Sequence, residues 1–229
     1  MTPTDTIPSP ASVIRTVDDL RGPAGQLEAL LNTGSATATY AAVVAHPHPL
    51  FGGTMHNKVV YHAMKALASL GLPVLRFNFR GAGVSEGTHD HGRGEREDVR
   101  AAIDWADREF HLPILFAGFS FGANVGLHAC CGDSRVKGLI SLGTPVHAEG
   151  RDYHYEFLAH CLAPKLFVSG SRDPYGPISQ VEAAVASAPP PAELVWIAEA
   201  DHFFTGKLDE MRAAIVAWVS AQFPLGISQ

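Results

Sequence analysis

The sequence predicts an α/β fold: a mostly parallel sheet with helices on both faces, opened by an antiparallel hairpin and carrying no cap domain. Three observations carry that expectation. Short apolar runs of strand length alternate with stretches whose apolar residues recur at helical spacing, as in a sheet wrapped by its own crossovers. Several runs, residues 40–45 among them, are apolar throughout, as strands buried on both faces are. The first two strands are joined by a Gly-Pro turn, too short for a crossover helix.

In chain order, residues 1–10 are rich in Thr, Pro and Ser and read as a loose tail. Residues 11–229 read as one domain, a length that suits a single large core. Residues 12–18 and 25–31 form the expected hairpin around Leu20-Arg21-Gly22-Pro23-Ala24, and residues 40–45 the next strand. Residues 56–70 carry Val60, Met64, Leu67 and Ala68 on one helical face; Gly71 ends that helix and Pro73 prevents its continuation. A strand over 74–79 leads into a polar loop, 80–87. A helix follows over 95–110, with Val99, Ala102, Ile103, Ala106 and Phe110 inward. Its charges at 95–98, Arg100, Asp104, Asp107 and Arg108 read as a solvated face. Strands over 112–117, 136–142, 165–169 and 193–197 alternate with helices over 123–131, 153–162, 178–188 and 208–223. The last helix puts Met211, Ile215, Trp218 and Val219 on one side. Residues 144–163 leave room for a helix and its loops between two strands, but not for a cap domain.

Gly118-Phe119-Ser120-Phe121-Gly122 reads G-x-S-x-G between an apolar strand and a helix of small residues, the context in which this motif is a nucleophile elbow. The sharp turn exposes the Ser120 hydroxyl at the sheet edge, and side chains at positions 118 and 122 would collide across it. The helix N-terminus aims amide N–H groups at the same spot, which suits a developing oxyanion.

Composition excludes several classes. The 229 residues are 46% hydrophobic and 17% charged, with a net charge of −6, so no basic surplus exists to neutralise nucleic acid. The three cysteines are an odd count, with Cys130 and Cys131 adjacent, which argues for a reducing, cytoplasmic compartment rather than a disulfide framework. The first residues lack the basic and apolar regions of a signal peptide, and no apolar run reaches membrane-spanning length, so no membrane partner is expected.

A serine hydroxyl needs a base to become a nucleophile. Of twelve histidines, His202 is best placed, in a loop directly after the last strand and before the last helix. The base needs an acid to hold its tautomer. Asp173 follows the preceding strand and can hang at the same edge. Asp201 adjoins His202, and neighbouring side chains in extended structure point apart. Glu149 is a weaker rival, since the loop after residue 142 begins Gly143-Thr144-Pro145, with no acid at its start. The expected order is Ser120, Asp173, His202.

That order on a strand–helix turn resembles the α/β-hydrolase superfamily, whose triads run nucleophile, acid, histidine, and the resemblance covers nearly the whole chain. Residues 46–55 (His-Pro-His-Pro-Leu-Phe-Gly-Gly-Thr-Met) and 77–87 (Phe-Asn-Phe-Arg-Gly-Ala-Gly-Val-Ser-Glu-Gly) add a closer likeness, together with residues 118–123 and Asp201-His202-Phe203-Phe204. These look like the small bacterial members related to dienelactone hydrolases and serine peptidase-like esterases. Dienelactone hydrolases use a cysteine nucleophile, and position 120 is serine, so their substrate does not carry over. The resemblance implies an oxyanion hole of two backbone amides. One is that of Phe121; the other lies on the 47–51 loop, where Pro47 and Pro49 have no N–H. Counting from the strand end favours His48, and aligning the Phe-Gly pair favours Leu50. The implied activity is a serine hydrolase working through an acyl-enzyme, a carboxylesterase on small short-chain esters. The alternatives are a peptidase or amidase of the same mechanism, and a non-catalytic scaffold that binds a small molecule. Without a cap the site is open, with Phe51, Phe119 and Phe203, and further Phe121, Phe204, Tyr153 and Tyr155, as candidate lining.

Two motifs point elsewhere and are incomplete. Residues 81–87 approach G-x-G-x-x-G, but Glu86 stands where the third glycine belongs, so no dinucleotide is expected. His46-Pro47-His48 and His89-Asp90-His91 lack a full ligand set nearby in sequence, so no metal is expected either.

Overall fold

The computed structural model describes residues 13–148 and 150–225; the expected tail and Glu149 lie outside the described residues. Strand β1 (Ile14–Val17) pairs antiparallel with β4 (Ala29–Asn32), Ile14 opposite Asn32 and Val17 opposite Ala29. Between them the Gly-Pro turn closes a short ladder of its own, β2 (Arg21–Gly22) on β3 (Gly25–Gln26). The hairpin is therefore there, but its second strand starts four residues later than the sequence suggests. Gly25 and Gln26 are consumed by the small ladder, and Leu27, Ala29 and Leu31 are the buried positions that register the strand on the sheet.

The remaining strands are β5 (Ala41–Ala45), β6 (Val74–Phe77), β7 (Ile114–Phe119), β8 (Val136–Leu142), β11 (Lys165–Gly170) and β12 (Ala192–Ile197). With β1 and β4 they make one eight-stranded sheet in the order β1-β4-β6-β5-β7-β8-β11-β12, parallel from β6 onward. Helices α1 (Lys58–Ser69) and α5 (Leu208–Gln222) cover one face through Val59, Val60, Ala63, Met211, Ile215 and Val219. Helices α2 (Arg93–Phe110), α3 (Phe121–Cys130) and α4 (Ile178–Ala186) cover the other. The inner parallel strands are buried almost end to end, because each has a helical layer on both sides, while the edge strand β12 is half-buried.

Two expectations need correction. The charges at 95–98 do not form a solvated face: Glu95 and Asp98 are fully buried. Both are taken up by partners distant in sequence or at the helix end, as buried charges must be. Asp98 holds the Arg80 guanidinium (2.7 Å) and backbone N–H (3.0 Å), and Glu95 accepts from the amides of Asp90 (2.8 Å) and Gly92 (2.7 Å). Residues 153–162 do not form an α-helix, but a single 3-10 turn, Glu156–His160. Tyr155 and Cys161 are buried on either side of it, and the Tyr155 hydroxyl donates to the Pro145 carbonyl (2.8 Å), which ties the entry of the turn to the start of the connection. The rest of the 144–163 connection, as far as it is described, adds the two-residue strands β9 (His147–Ala148) and β10 (Arg151–Asp152).

The glycine loop at 81–87 is occupied by the protein itself. Glu86 Oε2 accepts from Gln26 N (2.6 Å), and Ser85 Oγ accepts from Glu28 N (2.9 Å) while donating to the Asn78 carbonyl (2.8 Å). The loop thus fastens the opening strands to the end of β6.

Candidate active site

The site is assembled at the carboxyl ends of the parallel strands, where loops converge and helix N-termini point. Ser120 stands between β7 and α3 at φ 54°, ψ −121°. That conformation costs a non-glycine residue about 1–3 kcal/mol and persists only where packing over-determines it. Here the packing is two glycines. A Cβ on Gly118 would lie 2.5 Å from the Gly122 carbonyl oxygen, and one on Gly122 would lie 2.3 Å from the His46 carbonyl oxygen. Any side chain at either position would push α3 away from β7 or from the end of β5.

His202 reaches the serine from the β12–α5 loop. Its Nε2 lies 2.9 Å from Ser120 Oγ and its Nδ1 lies 2.7 Å from Asp173 Oδ2. These partners select the tautomer in which Nδ1–H donates to the carboxylate and Nε2 accepts from the serine hydroxyl. Asp173 hangs from the end of β11, and its other oxygen accepts from Tyr175 N (2.8 Å). The imidazole is held between rings: Phe119 at 5.0 Å, Tyr175 at 4.7 Å and Phe203 at 5.3 Å between centroids. All three groups are buried, with Ser120 8% exposed. Asp201 has a different task. Its Oδ1 accepts from the amides of Phe203 (3.0 Å) and Thr205 (2.9 Å) and so shapes the loop that presents its neighbour. Those bonds hold its carboxyl below the usual range.

The 47–53 loop forms the facing wall. Pro49–Phe51 make a 3-10 turn capped by His48, whose Nδ1 accepts from Leu50 N at 3.3 Å. His46 anchors the loop. Its Nδ1 donates to the Pro47 carbonyl (2.6 Å), and its Nε2 accepts from Phe79 N at the end of β6 (2.9 Å). Complete burial pulls the His46 pKa down to about 3, so this anchor is a neutral ring. His48 is held down to about 4, first by burial and then by His89, Arg151 and His91. The two histidine motifs do meet in space, with His48 and His89 rings 4.7 Å apart and His89 and His91 5.2 Å apart. Among the described residues, no group of three or more His, Cys, Asp or Glu side chains is placed to hold a metal ion.

A cavity of about 70 Å³ opens above Ser120 and His202, lined among others by His48, Phe51, Tyr175, Ala148 and Phe203. Phe51 and Phe203 therefore stand where the sequence suggests. Phe119 does not: it is fully buried beneath the His202 ring and supports it from below. Alternation along β7 decides this, because the last strand residue before the turn points into the sheet's helical layer rather than up its edge. Phe121 and Phe204 are likewise fully buried, and Tyr153 and Tyr155 nearly so. Tyr175 and Ala148 had no local signal in the sequence. The one available signal for Tyr175 is its place two residues after Asp173, within the loop that presents the acid.

A serine on a strained strand–helix turn, a histidine loop after the last strand and an acid loop after the preceding one define an α/β-hydrolase fold. The chain belongs to that family: the model of the alpha/beta hydrolase domain matches residues 40–217. It is 39% identical to an alpha-beta serine hydrolase homologue from Coxiella burnetii, over 90% of this chain and 97% of that one, with a TM-score of 0.81. It is 32% identical to an α/β serine hydrolase without lid from Xanthomonas campestris, over 96% of this chain and 98% of that one, with a TM-score of 0.80. It is also 35% identical over 201 residues to an uncharacterized protein of Rickettsia prowazekii (strain Madrid E), covering 85% of this chain and 84% of that one. No helix among the described residues is long and apolar enough to cross a membrane.

Proposed function

We propose that this protein is a carboxylesterase acting on small, short-chain esters through a Ser120–His202–Asp173 triad and an acyl-enzyme. The observation that supports this reading is the continuous hydrogen-bonded chain from Ser120 Oγ through His202 to Asp173, at 2.9 Å and 2.7 Å. In this reading His202 Nε2 takes the serine proton as Oγ attacks the ester carbonyl, and Asp173 stabilises the resulting imidazolium. The tetrahedral oxyanion accepts from the amides of Phe121 and His48. Of the two loop amides, His48 is the better donor, because Leu50 N already donates to His48 Nδ1. Collapse breaks the bond to the leaving oxygen, which takes the proton from His202 and departs as the alcohol. Water then gives its proton to His202 and attacks the acyl-enzyme, releasing the acid and restoring Ser120.

A fluorophosphonate probe should label the wild type and not Ser120→Ala; labelling that survives in the variant would place the nucleophile elsewhere. With nitrophenyl esters of increasing acyl length, kcat/KM should climb over the shortest chains. It should flatten or fall beyond about four to six carbons, where further methylenes, each worth about 0.8 kcal/mol when buried, gain no contact. A steady rise through dodecanoate would contradict the short-chain reading. Serine, histidine, aspartate and two amides supply nucleophile, base and charge stabilisation, so activity should survive dialysis against a chelator. Loss restored by zinc would revive the histidine pairs.

A further inference from the structure

The catalytic cavity has a larger neighbour. A groove of about 570 Å³ runs between the N-terminal ends of α1 and α5, and Gly52, Asn57 and Phe203 line both spaces. Phe203 is 51% exposed and stands between them. We propose that this groove receives the alcohol half of the ester, and that the preferred substrates are short-acyl esters of bulky, hydrogen-bonding alcohols such as sugars and other polyols. The proposal rests on the reading of Ser120 as an acyl-enzyme nucleophile and adds to it a direction and a substrate class.

Direction follows from the proton. The leaving oxygen must come within hydrogen-bond reach of His202 Nε2 to be protonated. The alcohol therefore departs on the histidine's side of the reacting carbon. Phe203, Thr205, Gly206 and Leu208, which line the groove, all belong to the stretch that immediately follows His202. Size assigns the acyl half. A cavity of about 70 Å³ is small, which suits a short acyl group. The groove offers about eight times that volume to the other half of the molecule.

Chemistry narrows the alcohol. Thr54, His56, Asn57, Lys58 and Thr205 line the groove beside Leu208; Asn57 Oδ1 and Thr54 Oγ1 already accept from Val59 N and His56 N, so these two offer the groove chiefly their donors. No carboxylate lines it. A polyol, with a hydroxyl on most carbons and an apolar face, matches such a wall better than an alkyl alcohol. A site built for hydroxyl groups discriminates strongly against a partner that lacks them.

Three acetates with alcohols of rising size and polarity test this: ethyl acetate, cyclohexylmethyl acetate and 6-O-acetylglucose. For the wild type, kcat/KM for 6-O-acetylglucose should exceed that for ethyl acetate by about tenfold, with the cyclohexylmethyl ester between them. Thr205→Trp fills the groove from the α5 side and should raise KM for 6-O-acetylglucose about fivefold while ethyl acetate changes by less than about twofold. His56→Trp fills it from the α1 side and should do the same, which guards against a distorted His202 loop in the first variant. Equal kcat/KM across the three acetates would overturn the proposal, as would His56→Trp affecting ethyl acetate and 6-O-acetylglucose alike. Labelling of Ser120 by the fluorophosphonate separates the two readings. If it is intact while the alcohol series is flat, only the groove assignment fails; if it is absent, the esterase reading fails first.

Discussion

The protein contains two imidazole–carboxylate pairs that are nearly superimposable in their local numbers. His202 Nδ1 lies 2.7 Å from Asp173, and His89 Nδ1 lies 2.8 Å from Glu95. In each pair the imidazole side chain is 5% exposed and the carboxylate 0%. The difference lies at both nitrogens and in the carboxylate's other duties. His202 Nδ1 is hydrogen-bonded to Asp173 and its Nε2 faces the Ser120 hydroxyl, whereas both ring nitrogens of His89 are buried without a hydrogen bond, the Glu95 oxygen lying close to Nδ1 but out of line with it. Glu95 also accepts from Asp90 N and Gly92 N and so caps the start of α2. His89 is surrounded by His48, His91 and Arg151, and burial together with Arg151 and His91 outweighs Glu95 and lowers its pKa. Only the His202 pair is hydrogen-bonded through both nitrogens and ends on a nucleophile, which is why the proposed mechanism runs through it and not through His89.

If that distinction holds, the two pairs respond differently to substitution. His202→Ala should lower kcat by about 10⁴–10⁶, since knocking out a triad base costs nearly as much as removing the triad. Asp173→Asn should lower kcat by about 10³–10⁴ through the wrong tautomer. In the other pair the balance reverses. Glu95→Gln should leave kcat within about tenfold, while the loss of buried charge-assisted bonds costs about 1–3 kcal/mol of stability. For a chain of this length that is a fall of about 2–4 °C in Tm per kcal/mol, readable by scanning calorimetry. A Glu95→Gln variant slowed about a thousandfold at unchanged Tm would abolish the distinction and bring the second pair into the mechanism.

The smallest effect is on pH dependence and belongs to the neutral histidines around the second pair. Burial lowers the pKa values of His46 to about 3 and of His48 to about 4 in the folded protein. In the unfolded chain a histidine titrates near about 6.5. Between those values the unfolded state binds more protons, so stability is full above pH about 6.5 and falls as the pH drops toward the folded pKa values. Tm measured from pH 7 to pH 4.5 should decline, and the decline should be shallower in His46→Gln. An equal slope in that variant would mean that His46 contributes nothing to the acid limb.

How far the sequence reaches is seen in particular elements. Helix α5 was legible to within a residue, because Met211, Ile215, Trp218 and Val219 repeat at helical spacing and the face they mark is the face that is buried. Helix α2 was legible as a helix and misread at its start. Nothing local distinguishes Glu95, which caps a helix, and Asp98, which grips Arg80 eighteen residues away, from the exposed Glu97 between them. Residues 153–162 carried enough apolar content for a helix, yet they form only a 3-10 turn between the buried Tyr155 and Cys161.

By itself the sequence determined the α/β class, the alternation of strands and helices, and the serine turn. Each depends on periodicity or on glycines within a few residues, which are local physics. It also singled out Ser120, Asp173 and His202 as the residues that could meet. Tertiary structure alone decided that Leu50 N is already committed to His48 and that Phe119 lies beneath the imidazole. It alone set two histidine–acid contacts of similar distance in different surroundings, and opened a groove beside Phe203. The reason is physical: these outcomes depend on which groups from distant segments arrive within 3–5 Å of one another, and packing, not spacing along the chain, sets that distance.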